Sequence, residues 1–413
     1  MRRRIVAVAA GVLLALTGVA APATAAGHGP WVASWATAAQ EAATEFGPNW
    51  SVEGFERQSL RQVVRASAGG LVTRVRLTNV YGTKPLRVAK ATIARTAEGA
   101  AVRPDSVRPL TFGHRRSVEI PVGEETSSDL TVFRVAPLER VTITLYLAEA
   151  TGPATMHLAA NTTSYRAAGD HVADADGAAF TETSQSWYLL AGLDVAGQAS
   201  RGSGVVTFGD SITDGAGATF GEYDRYPDDL AEALTPRPVL NTGIGGNRVL
   251  NDARCAGERA AARFERDVLD QPRAGTVIVL EGINDIGMPE LPGEFPCVGQ
   301  RPVVTAEQLI AGHRQLIRMA KADGMKIIGA TMLPYQGTFY YSERGEAVRD
   351  AVNAWIRTSG EYDAVADFDR ITADPAHPDA LLPAYDSGDK LHPSDAGYAV
   401  MATEAAKAVR SLR

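Results

Sequence analysis

Apolar and polar residues alternate along short runs in the first half of the chain, and no helical period is visible between about Trp31 and Ser200. In residues 141–147 every second residue is apolar, as a half-buried β-strand requires. Glycines and prolines separate the runs, which is typical of turns between strands. Regularly spaced short strands with turn signals predict an antiparallel β-sandwich. The predicted strands are residues 60–66, 71–79, 86–95, 130–135 and 141–147.

Beyond residue 200, apolar strand-like runs alternate with helical periods. Five strands with helices between them predict an α/β domain, in which a five-stranded parallel sheet is covered on both faces. Thr305 is a candidate helix N-cap, and Gly324 is a candidate helix stop. The predicted strands are residues 204–208, 239–244, 276–281, 326–332 and 365–368. The predicted helices are residues 223–234, 255–269, 305–322, 343–356 and 394–412.

The N-terminal residues have the pattern of a secretory signal peptide. Arginines at positions 2–4 precede an apolar run over residues 5–21, and small residues follow up to Ala25. A membrane anchor is the alternative, because the run approaches the shortest length that spans a bilayer. We therefore expect a signal peptide at residues 1–25, a β-sandwich accessory domain at residues 26–200 and an α/β domain at residues 201–413.

The charge of the chain argues against a nucleic-acid partner. The formal net charge of the 413 residues is −7, and loss of the three leader arginines would make it −10. No segment after the leader reaches 18 unbroken apolar residues, so we expect no stable membrane insertion after cleavage. The expected location is therefore extracellular.

The two cysteines, Cys255 and Cys297, favour a disulfide, because an even pair in an exported chain is commonly oxidised. They are too few for the usual zinc site, and a cysteine nucleophile is the weaker alternative. His157 and His171 are single histidines without ligand spacing, so we expect surface or hydrogen-bonded residues there. No metal or other cofactor is expected.

The aromatic residues of the first half allow two interpretations. Exposed aromatic rings could stack on sugars, whereas buried rings would fill the core of the β-sandwich, and we favour the core because aromatic residues carry much of core burial. The residues concerned are Trp31, Trp35, Trp50, Tyr81 and Trp187.

Candidate chemistry begins at Ser211, which follows a β-branched strand and the tight turn Gly209-Asp210. Parallel α/β sheets bind ligands beyond the carboxyl ends of their strands, so a serine there could act as a nucleophile if a base is near. In Asp389-Lys390-Leu391-His392 the carboxylate could accept from Nδ1 of the imidazole and leave Nε2 free for the serine proton. Taken singly, Ser211 could be only a helix cap, and Asp389 and His392 could be structural.

Two further stretches could stabilise an oxyanion. Residues 241–247 are rich in glycine and follow the second predicted strand, so a backbone N–H could approach the reacting centre closely. Asn284 follows the third predicted strand and could supply a side-chain amide. The alternatives are an ordinary turn and a capping asparagine.

In this combination and order, these residues resemble the SGNH, or GDSL, hydrolase superfamily over about the last 210 residues. The corresponding motifs are Gly209-Asp210-Ser211-Ile212, Gly245-Gly246-Asn247, Gly282-Ile283-Asn284-Asp285 and Asp389-Lys390-Leu391-His392. Ile212 stands in place of the leucine of the GDSL name and leaves the serine unchanged.

The resemblance implies a flavodoxin-like three-layer fold in which Ser211 attacks an ester carbonyl, His392 is the base and Asp389 orients it. The oxyanion hole would comprise the N–H of Ser211, the N–H of Gly246 and the side chain of Asn284. Gly245 is the alternative glycine, because the two are adjacent. The β-domain gives a looser similarity to secreted esterases of xylan-degrading systems.

The sequence therefore predicts a secreted serine esterase that removes short acyl groups from carbohydrates or small esters, with an acylated polysaccharide as a possible partner. Aromatic residues after the fourth predicted strand could line the substrate pocket, with loop packing as the alternative; these are Tyr335, Phe339, Tyr340 and Tyr341. The alternative functions are a lipid-directed acylhydrolase, an acyltransferase and a catalytically silent carbohydrate-binding protein.

Overall fold

The computed structural model describes residues 29–197 and 203–412. The predicted signal peptide at residues 1–25 and the predicted domain boundary between residues 200 and 201 lie outside the described residues. Residues 29–197 are called the N-terminal region below, and residues 203–412 the C-terminal region. Within these ranges no helix is both long enough and apolar enough to cross a membrane.

The N-terminal region consists of antiparallel sheets, as predicted for a β-sandwich. Apolar side chains from both large sheets, such as Val75, Leu77, Leu60 and Ile143, belong to one buried cluster. The four-stranded sheet has the order Val32–Ala36, Leu190–Ala196, Val72–Thr78 and Glu125–Ser127. The six-stranded sheet has the order Glu182–Ser184, Ser164–Ala168, Gln58–Arg65, Arg140–Leu147, Lys90–Arg95 and Arg108–Pro109. The region also contains two short antiparallel strand pairs, which are Met156–His157 with Trp187–Tyr188 and Leu86–Val88 with Val118–Ile120.

Two of the predicted strands in this region differ from the structure. Residues 130–135 form only isolated bridges at Thr131 and Val135, while Val132 is 76% exposed, so their alternation reflects an edge segment that does not continue a ladder. Residues 86–95 divide into two strands, Leu86–Val88 and Lys90–Arg95, because the chain changes sheets between them.

The aromatic residues of this region are largely structural. Trp35 and Trp187 are 7% and 4% exposed and meet edge to face with ring centroids 4.9 Å apart. Trp50 stacks on Tyr188 at 5.6 Å. The core interpretation is therefore confirmed for Trp35 and Trp187.

The C-terminal region contains the predicted five-stranded parallel sheet. Its strands lie in the spatial order 2-1-3-4-5, which is the flavodoxin-like order. From edge to edge they are Val239–Gly243, Gly204–Gly209, Ala274–Leu280, Lys326–Ala330 and Ala364–Ala366. The helices are Ser211–Asp214, Tyr226–Leu234, Ala260–Phe264, Ile283–Gly287, Ala306–Ala322, Glu343–Thr358, Phe368–Thr372 and Asp395–Ser411, and a π-turn at Glu265–Leu269 continues the third.

Alternate residues of the strands enter two separate cores, which makes the region three-layered. Val206 and Phe208 of the first strand join one cluster, and Val205 of the same strand joins the other. Helices Tyr226–Leu234 and Asp395–Ser411 cover the second of these faces. The flavodoxin-like three-layer fold is thereby confirmed.

The two ends of helix Ala306–Ala322 lie where the predicted N-cap Thr305 and the predicted stop Gly324 place them. The Thr305 hydroxyl accepts from the Gln308 N–H at 3.3 Å, and the Gln308 side chain accepts from the Thr305 N–H at 2.9 Å. This reciprocal capping box satisfies two backbone donors that a helix start leaves open. Gly324 follows the helix at φ +78°, a conformation that favours glycine.

The two regions meet across a hydrogen-bonded interface. The Ala33 N–H donates to the Pro272 carbonyl oxygen at 3.0 Å, and the Arg76 guanidinium donates to the Gln271 side chain at 2.7 Å. The Ser67 hydroxyl accepts from the backbone N–H of Val239, the first residue of the second parallel strand, at 3.2 Å. The N-terminal region therefore packs directly against an edge of the parallel sheet.

Arg263 is the most deeply buried cation at the carboxyl edge of this sheet, with a side chain that is 0% exposed. Its guanidinium lies over the Phe208 ring at 3.8 Å from the centroid, and all of its nitrogens donate. The acceptors are the carbonyl oxygens of Gly209 at 2.9 Å and Thr242 at 2.7 Å, Asn247 Oδ1 at 2.9 Å, Asp267 Oδ2 at 3.1 Å and Glu281 Oε1 at 3.3 Å.

Replacing Arg263 with methionine should lower the free energy of unfolding by about 3–5 kcal/mol, because the change leaves buried carboxylates and carbonyls without their donor. Chemical denaturation followed by circular dichroism at 222 nm measures this, since the described α-helices all lie in the C-terminal region. The control is Arg314→Met, which removes a partly exposed pair with Glu361 and should cost less than about 1 kcal/mol. A loss for Arg263→Met no larger than the control's would contradict the assignment.

Candidate active site

Ser211 begins the short helix Ser211–Asp214 at the carboxyl end of strand Gly204–Gly209. The Asp210 side chain caps this helix by accepting from the Ile212 N–H at 2.9 Å. Gly209 permits the turn, because a Cβ there would lie 2.1 Å from the Thr213 hydroxyl and 2.5 Å from the Leu280 carbonyl oxygen. The local sequence thus holds Ser211 at the end of a buried strand.

His392 and Asp389 lie opposite this serine, in the loop before the last helix. His392 Nε2 is 2.9 Å from the Ser211 hydroxyl oxygen, and His392 Nδ1 is 2.6 Å from Asp389 Oδ2. The other carboxylate oxygen of Asp389 accepts from the backbone N–H groups of Leu391 and His392. The structure therefore brings the three predicted residues into one hydrogen-bonded chain.

The carboxylate of Asp389 is held in its charged form. Partial burial acts to raise its pKa, but the hydrogen bonds from the His392 ring and backbone outweigh this effect and bring the pKa well below its ordinary value. An ionised Asp389 accepts from Nδ1–H and so leaves Nε2 as the nitrogen that faces Ser211.

The two candidate glycines after the second strand are now distinguishable. The Gly245 N–H donates to Asp214 Oδ2 at 3.1 Å, so this donor is already engaged. Within the described part of the chain the Gly246 N–H has no partner. Gly246 adopts φ +78°, and a Cβ on it would lie 3.0 Å from the Ala256 Cβ.

Asn284 lies in helix Ile283–Gly287, directly after the third strand, and is 2% exposed. Its Nδ2 donates to the Asn247 carbonyl oxygen at 3.0 Å, which orients the amide and leaves its second hydrogen available. Asn247 is the last of the glycine-rich residues 241–247, which are called the glycine loop below. This hydrogen bond therefore joins the two predicted oxyanion segments.

Buried acids lie directly behind these residues. Burial raises the pKa of Asp210 and of Glu281, which are near neighbours. Burial also raises the pKa of Asp285 to about 6, although the carboxylate accepts from the backbone N–H groups of Val249 and Leu250.

No group of three or more histidine, cysteine, aspartate or glutamate residues among residues 29–197 and 203–412 is placed to hold a metal ion.

The aromatic residues predicted to line the substrate pocket are mostly core residues. Tyr335 is 0% exposed and packs against Gly345 of helix Glu343–Thr358, so its predicted substrate contact is wrong. Tyr340 is 7% exposed, with its ring against Gly287, because the loop folds back under the adjoining helices. Phe339 is 62% exposed and meets Tyr340 edge to face at 4.5 Å.

The predicted disulfide joins Cys255 and Cys297, whose Cα atoms are 5.4 Å apart. Cys255 precedes Ala256, which packs against Gly246, and the Cys255 carbonyl oxygen accepts from the Gln40 side chain of the N-terminal region at 3.2 Å. The bridge therefore lies next to the glycine loop.

Sequence reasoning missed two residues that support this site. The sequence gave no sign that Arg263 is buried, because an arginine in a short helix is ordinarily exposed to solvent. His157 is hydrogen-bonded, which is one of the two expectations for it, but the sequence did not indicate that it is buried, at 3% exposed, or that it lies 3.0 Å from Asp214.

A cleft of about 700 Å³ separates the two regions beside the Ser211 helix. Asp214 is the one charged residue among the described residues that line it, and Phe46 and Phe220 are each 43% exposed. Its C-terminal wall is Asp214, Gly215, Ala216, Gly217, Ala218 and Phe220. Its N-terminal wall is Phe46, Gly47, Pro48, Leu158, Ala159, Asn161, Thr163, Thr183, Ser184, Gln185 and Ser186.

Comparison with known proteins adds independent information. Residues 207–400 match the GDSL-like lipase/acylhydrolase family model. No curated protein matches the chain at a significant level. A GDSL-like lipase from Bacteroides thetaiotaomicron is 21% identical, and the match covers 50% of this chain and 88% of that one with a TM-score of 0.36. A catalytic mutant of an acetylxylan esterase from Geobacillus stearothermophilus is 24% identical, and the match covers 52% and 97% with a TM-score of 0.38.

The family match extends from the first parallel strand into the last helix and so includes the turn at Ser211, the glycine loop and the loop that carries Asp389 and His392. Residues 207–400 thus form a GDSL-like lipase/acylhydrolase domain of the SGNH hydrolase superfamily, and the protein is a carboxylic ester hydrolase.

Proposed function

We propose that this protein is a secreted serine esterase that releases short acyl groups from carbohydrate or small esters through an acyl-enzyme. The observation that carries the mechanism is the position of the His392 ring between the Ser211 hydroxyl, at 2.9 Å, and the Asp389 carboxylate, at 2.6 Å. This arrangement gives a weak nucleophile the base that it needs.

In the first step His392 Nε2 takes the Ser211 proton while Oγ bonds to the ester carbonyl carbon. The tetrahedral intermediate collapses, and the C–O bond to the alcohol breaks as the imidazolium returns the proton to the leaving oxygen. In the second step His392 takes a proton from water, and the resulting hydroxide attacks the acyl-enzyme. The second tetrahedral intermediate collapses, its bond to Ser211 Oγ breaks as the imidazolium returns the proton to Oγ, and the carboxylic acid leaves. Asp389 stabilises the imidazolium in both steps.

Three donors would stabilise the oxyanion. The Ser211 N–H is at the first position of a helix and has no intrahelical acceptor. The Gly246 N–H has no partner within the described residues, and Asn284 has a second amide hydrogen beyond the one it gives to Asn247. Donors fixed before reaction cost little reorganisation when charge develops on the carbonyl oxygen.

The cleft beside the Ser211 helix, which Asp214 and the residues after it line, supports a polyhydroxylated alcohol as the leaving group. Its N-terminal wall carries hydroxyl and amide side chains, among them Asn161, Thr183 and Gln185, which can donate to and accept from sugar hydroxyls. The exposed rings of Phe46 and Phe220 offer apolar faces beside them. A bulk lipid would instead favour a continuous apolar surface.

Export is supported by two independent features. The first residues have the arrangement of a signal peptide, and the two cysteines form a disulfide, as is common in oxidising compartments.

Replacing Ser211 or His392 with alanine should lower kcat by about 10⁴-fold or more with p-nitrophenyl acetate, because nucleophile or base is lost. A fluorophosphonate probe should label the parent protein at Ser211 and leave Ser211→Ala unlabelled. Ser411→Ala, at the exposed end of the last helix, is the control and should retain full activity. Hydrolysis by Ser211→Ala at the parental rate would exclude the mechanism, and absence of labelling in the parent would favour a silent binding protein.

Asn284→Ala should reduce kcat by about 10²–10³-fold with a much smaller change in KM, because the lost donor acts mainly in the transition state. Thermal unfolding of the same variant separates this effect from misfolding. A kcat within threefold of the parent's would remove Asn284 from the oxyanion hole.

Acyl-chain and acceptor preference test the proposed substrate. We expect kcat/KM for p-nitrophenyl acetate to exceed that for the dodecanoate by about 10-fold or more, a difference that a short acyl pocket can produce. Acetylated xylan should release acetate, whereas phosphatidylcholine vesicles should not be hydrolysed. Preference for the long chain or the vesicles would identify a lipid-directed enzyme, and acyl transfer to an added alcohol in preference to water would identify an acyltransferase.

A further inference from the structure

Asp214 joins the nucleophile to the glycine loop. It is the last residue of helix Ser211–Asp214 and is 3% exposed. Its Oδ2 accepts from the Gly245 N–H at 3.1 Å, and Gly245 directly precedes Gly246. One carboxylate therefore links the element that carries Ser211 to the peptide next to the proposed oxyanion donor.

The other oxygen of Asp214 is engaged from the N-terminal region. His157 Nε2 lies 3.0 Å from Asp214 Oδ1, and the two side chains are each 3% exposed. His157 belongs to the short strand Met156–His157, and 57 positions of sequence separate it from Asp214. The contact therefore crosses the interface between the two regions.

The N-terminal region also fixes the orientation of the His157 ring. Nδ1 lies 3.0 Å from the Ala38 carbonyl oxygen, and because a carbonyl only accepts, Nδ1 carries a hydrogen. The Trp187 ring stacks on the imidazole at 5.7 Å with an interplanar angle of 29°. Ala38 and Trp187, which both belong to the N-terminal region, therefore orient Nε2 of His157 toward Asp214.

We propose that His157 and Asp214 form a positioning pair, through which the N-terminal region holds the Ser211 helix and the Gly245–Gly246 loop in register for catalysis. This inference rests on the proposed function of Ser211 and Gly246. Neither member of the pair touches the reacting atoms; they act on the distance between nucleophile and oxyanion donor.

The backbone of the Ser211 helix has other supports, so the carboxylate is not needed merely to form it. Asn241 Nδ2 donates to the Thr213 carbonyl oxygen at 2.9 Å, and Arg225 Nη1 donates to the Asp214 carbonyl oxygen at 3.4 Å. The Asp214 side chain is the group that reaches Gly245. Without it the Ile244–Gly245 peptide loses the acceptor of its N–H. A rotation of this peptide would move the adjoining Gly246 N–H away from the oxyanion.

Hydrogen-bond chemistry supplies a matched pair of substitutions at Asp214. In Asp214→Asn the amide oxygen can still accept from Gly245, and the amide NH₂ can donate to Nε2 of a neutral His157. In Asp214→Ala both links are lost. At the other end of the contact, His157→Phe keeps a ring against Trp187 and removes both nitrogens.

The experiment measures kcat and KM for p-nitrophenyl acetate in the full chain, with kcat referred to sites counted by complete fluorophosphonate labelling. We expect His157→Phe and Asp214→Ala to lower kcat per site by about 10- to 100-fold, with KM changed by less than about threefold, because small displacements of reacting groups are costly. Asp214→Asn should stay within about threefold of the parent, since it restores both hydrogen bonds.

The control is Glu232→Gln, which removes the ion pair that Arg65 of the N-terminal region makes with an exposed glutamate. It should leave kcat per site unchanged, because neither side chain of this ion pair hydrogen-bonds to Ser211, Asp214 or His157. A purely structural role for the pair would lower the number of labelled sites or the thermal midpoint and leave kcat per site intact.

Values of kcat per site within threefold of the parent for both His157→Phe and Asp214→Ala would overturn the inference while Ser211→Ala remains inactive. Equal losses in Asp214→Asn and Asp214→Ala would also overturn it. Should His157→Phe not fold, the comparison of the two Asp214 variants decides alone. Full activity of Ser211→Ala would refute the proposed function, and this inference with it.

Discussion

The buried guanidinium of Arg263 is the constraint on which the carboxyl edge of the parallel sheet depends. It donates to carbonyl oxygens at the ends of the first and second strands and to the side chain of Asn247 in the glycine loop. It is also the positive charge next to Glu281. A buried cation is stable only when each of its N–H donors has an acceptor and its charge has a counter-charge. The strand ends, Asn247 and the acidic partners are therefore fixed relative to one another around the guanidinium. The strand ends that carry Ser211 and the glycine loop are set by that arrangement.

The parallel topology explains why distant residues converge at this edge. Ser211 and His392 are 181 positions apart, yet their side chains are 2.9 Å apart. Each parallel strand delivers its carboxyl end to the same side of the sheet, so the turn after the first strand, the loop after the second and the helix after the third meet there. The loop that carries Asp389 and His392 lies opposite them. Asp389 holds His392 by hydrogen bonds between residues that are only three positions apart in sequence.

The N-terminal region is part of this architecture. It provides one wall of the cleft beside Ser211, packs Phe46 within reach of Gly246, and brings His157 to Asp214. An accessory domain joined only by a linker would move independently of the sheet. Here buried hydrogen bonds cross the interface, so the shape of the cleft and the geometry of the turn at Ser211 depend on both regions.

Local patterns by themselves determined the five parallel strands, the capping box at Thr305, the strand-turn-helix at Ser211 and the short loop of Asp389 and His392. These features depend on periodicity and on contacts between residues near in sequence. Only the tertiary structure decided that Tyr335 is a core residue, that residues 130–135 do not form a strand, that Gly245 is engaged by Asp214, and that Arg263 and His157 are buried beside the site. Burial and long-range hydrogen bonds depend on which elements cover one another, and an apolar, aromatic or charged residue carries no local sign of its eventual neighbour.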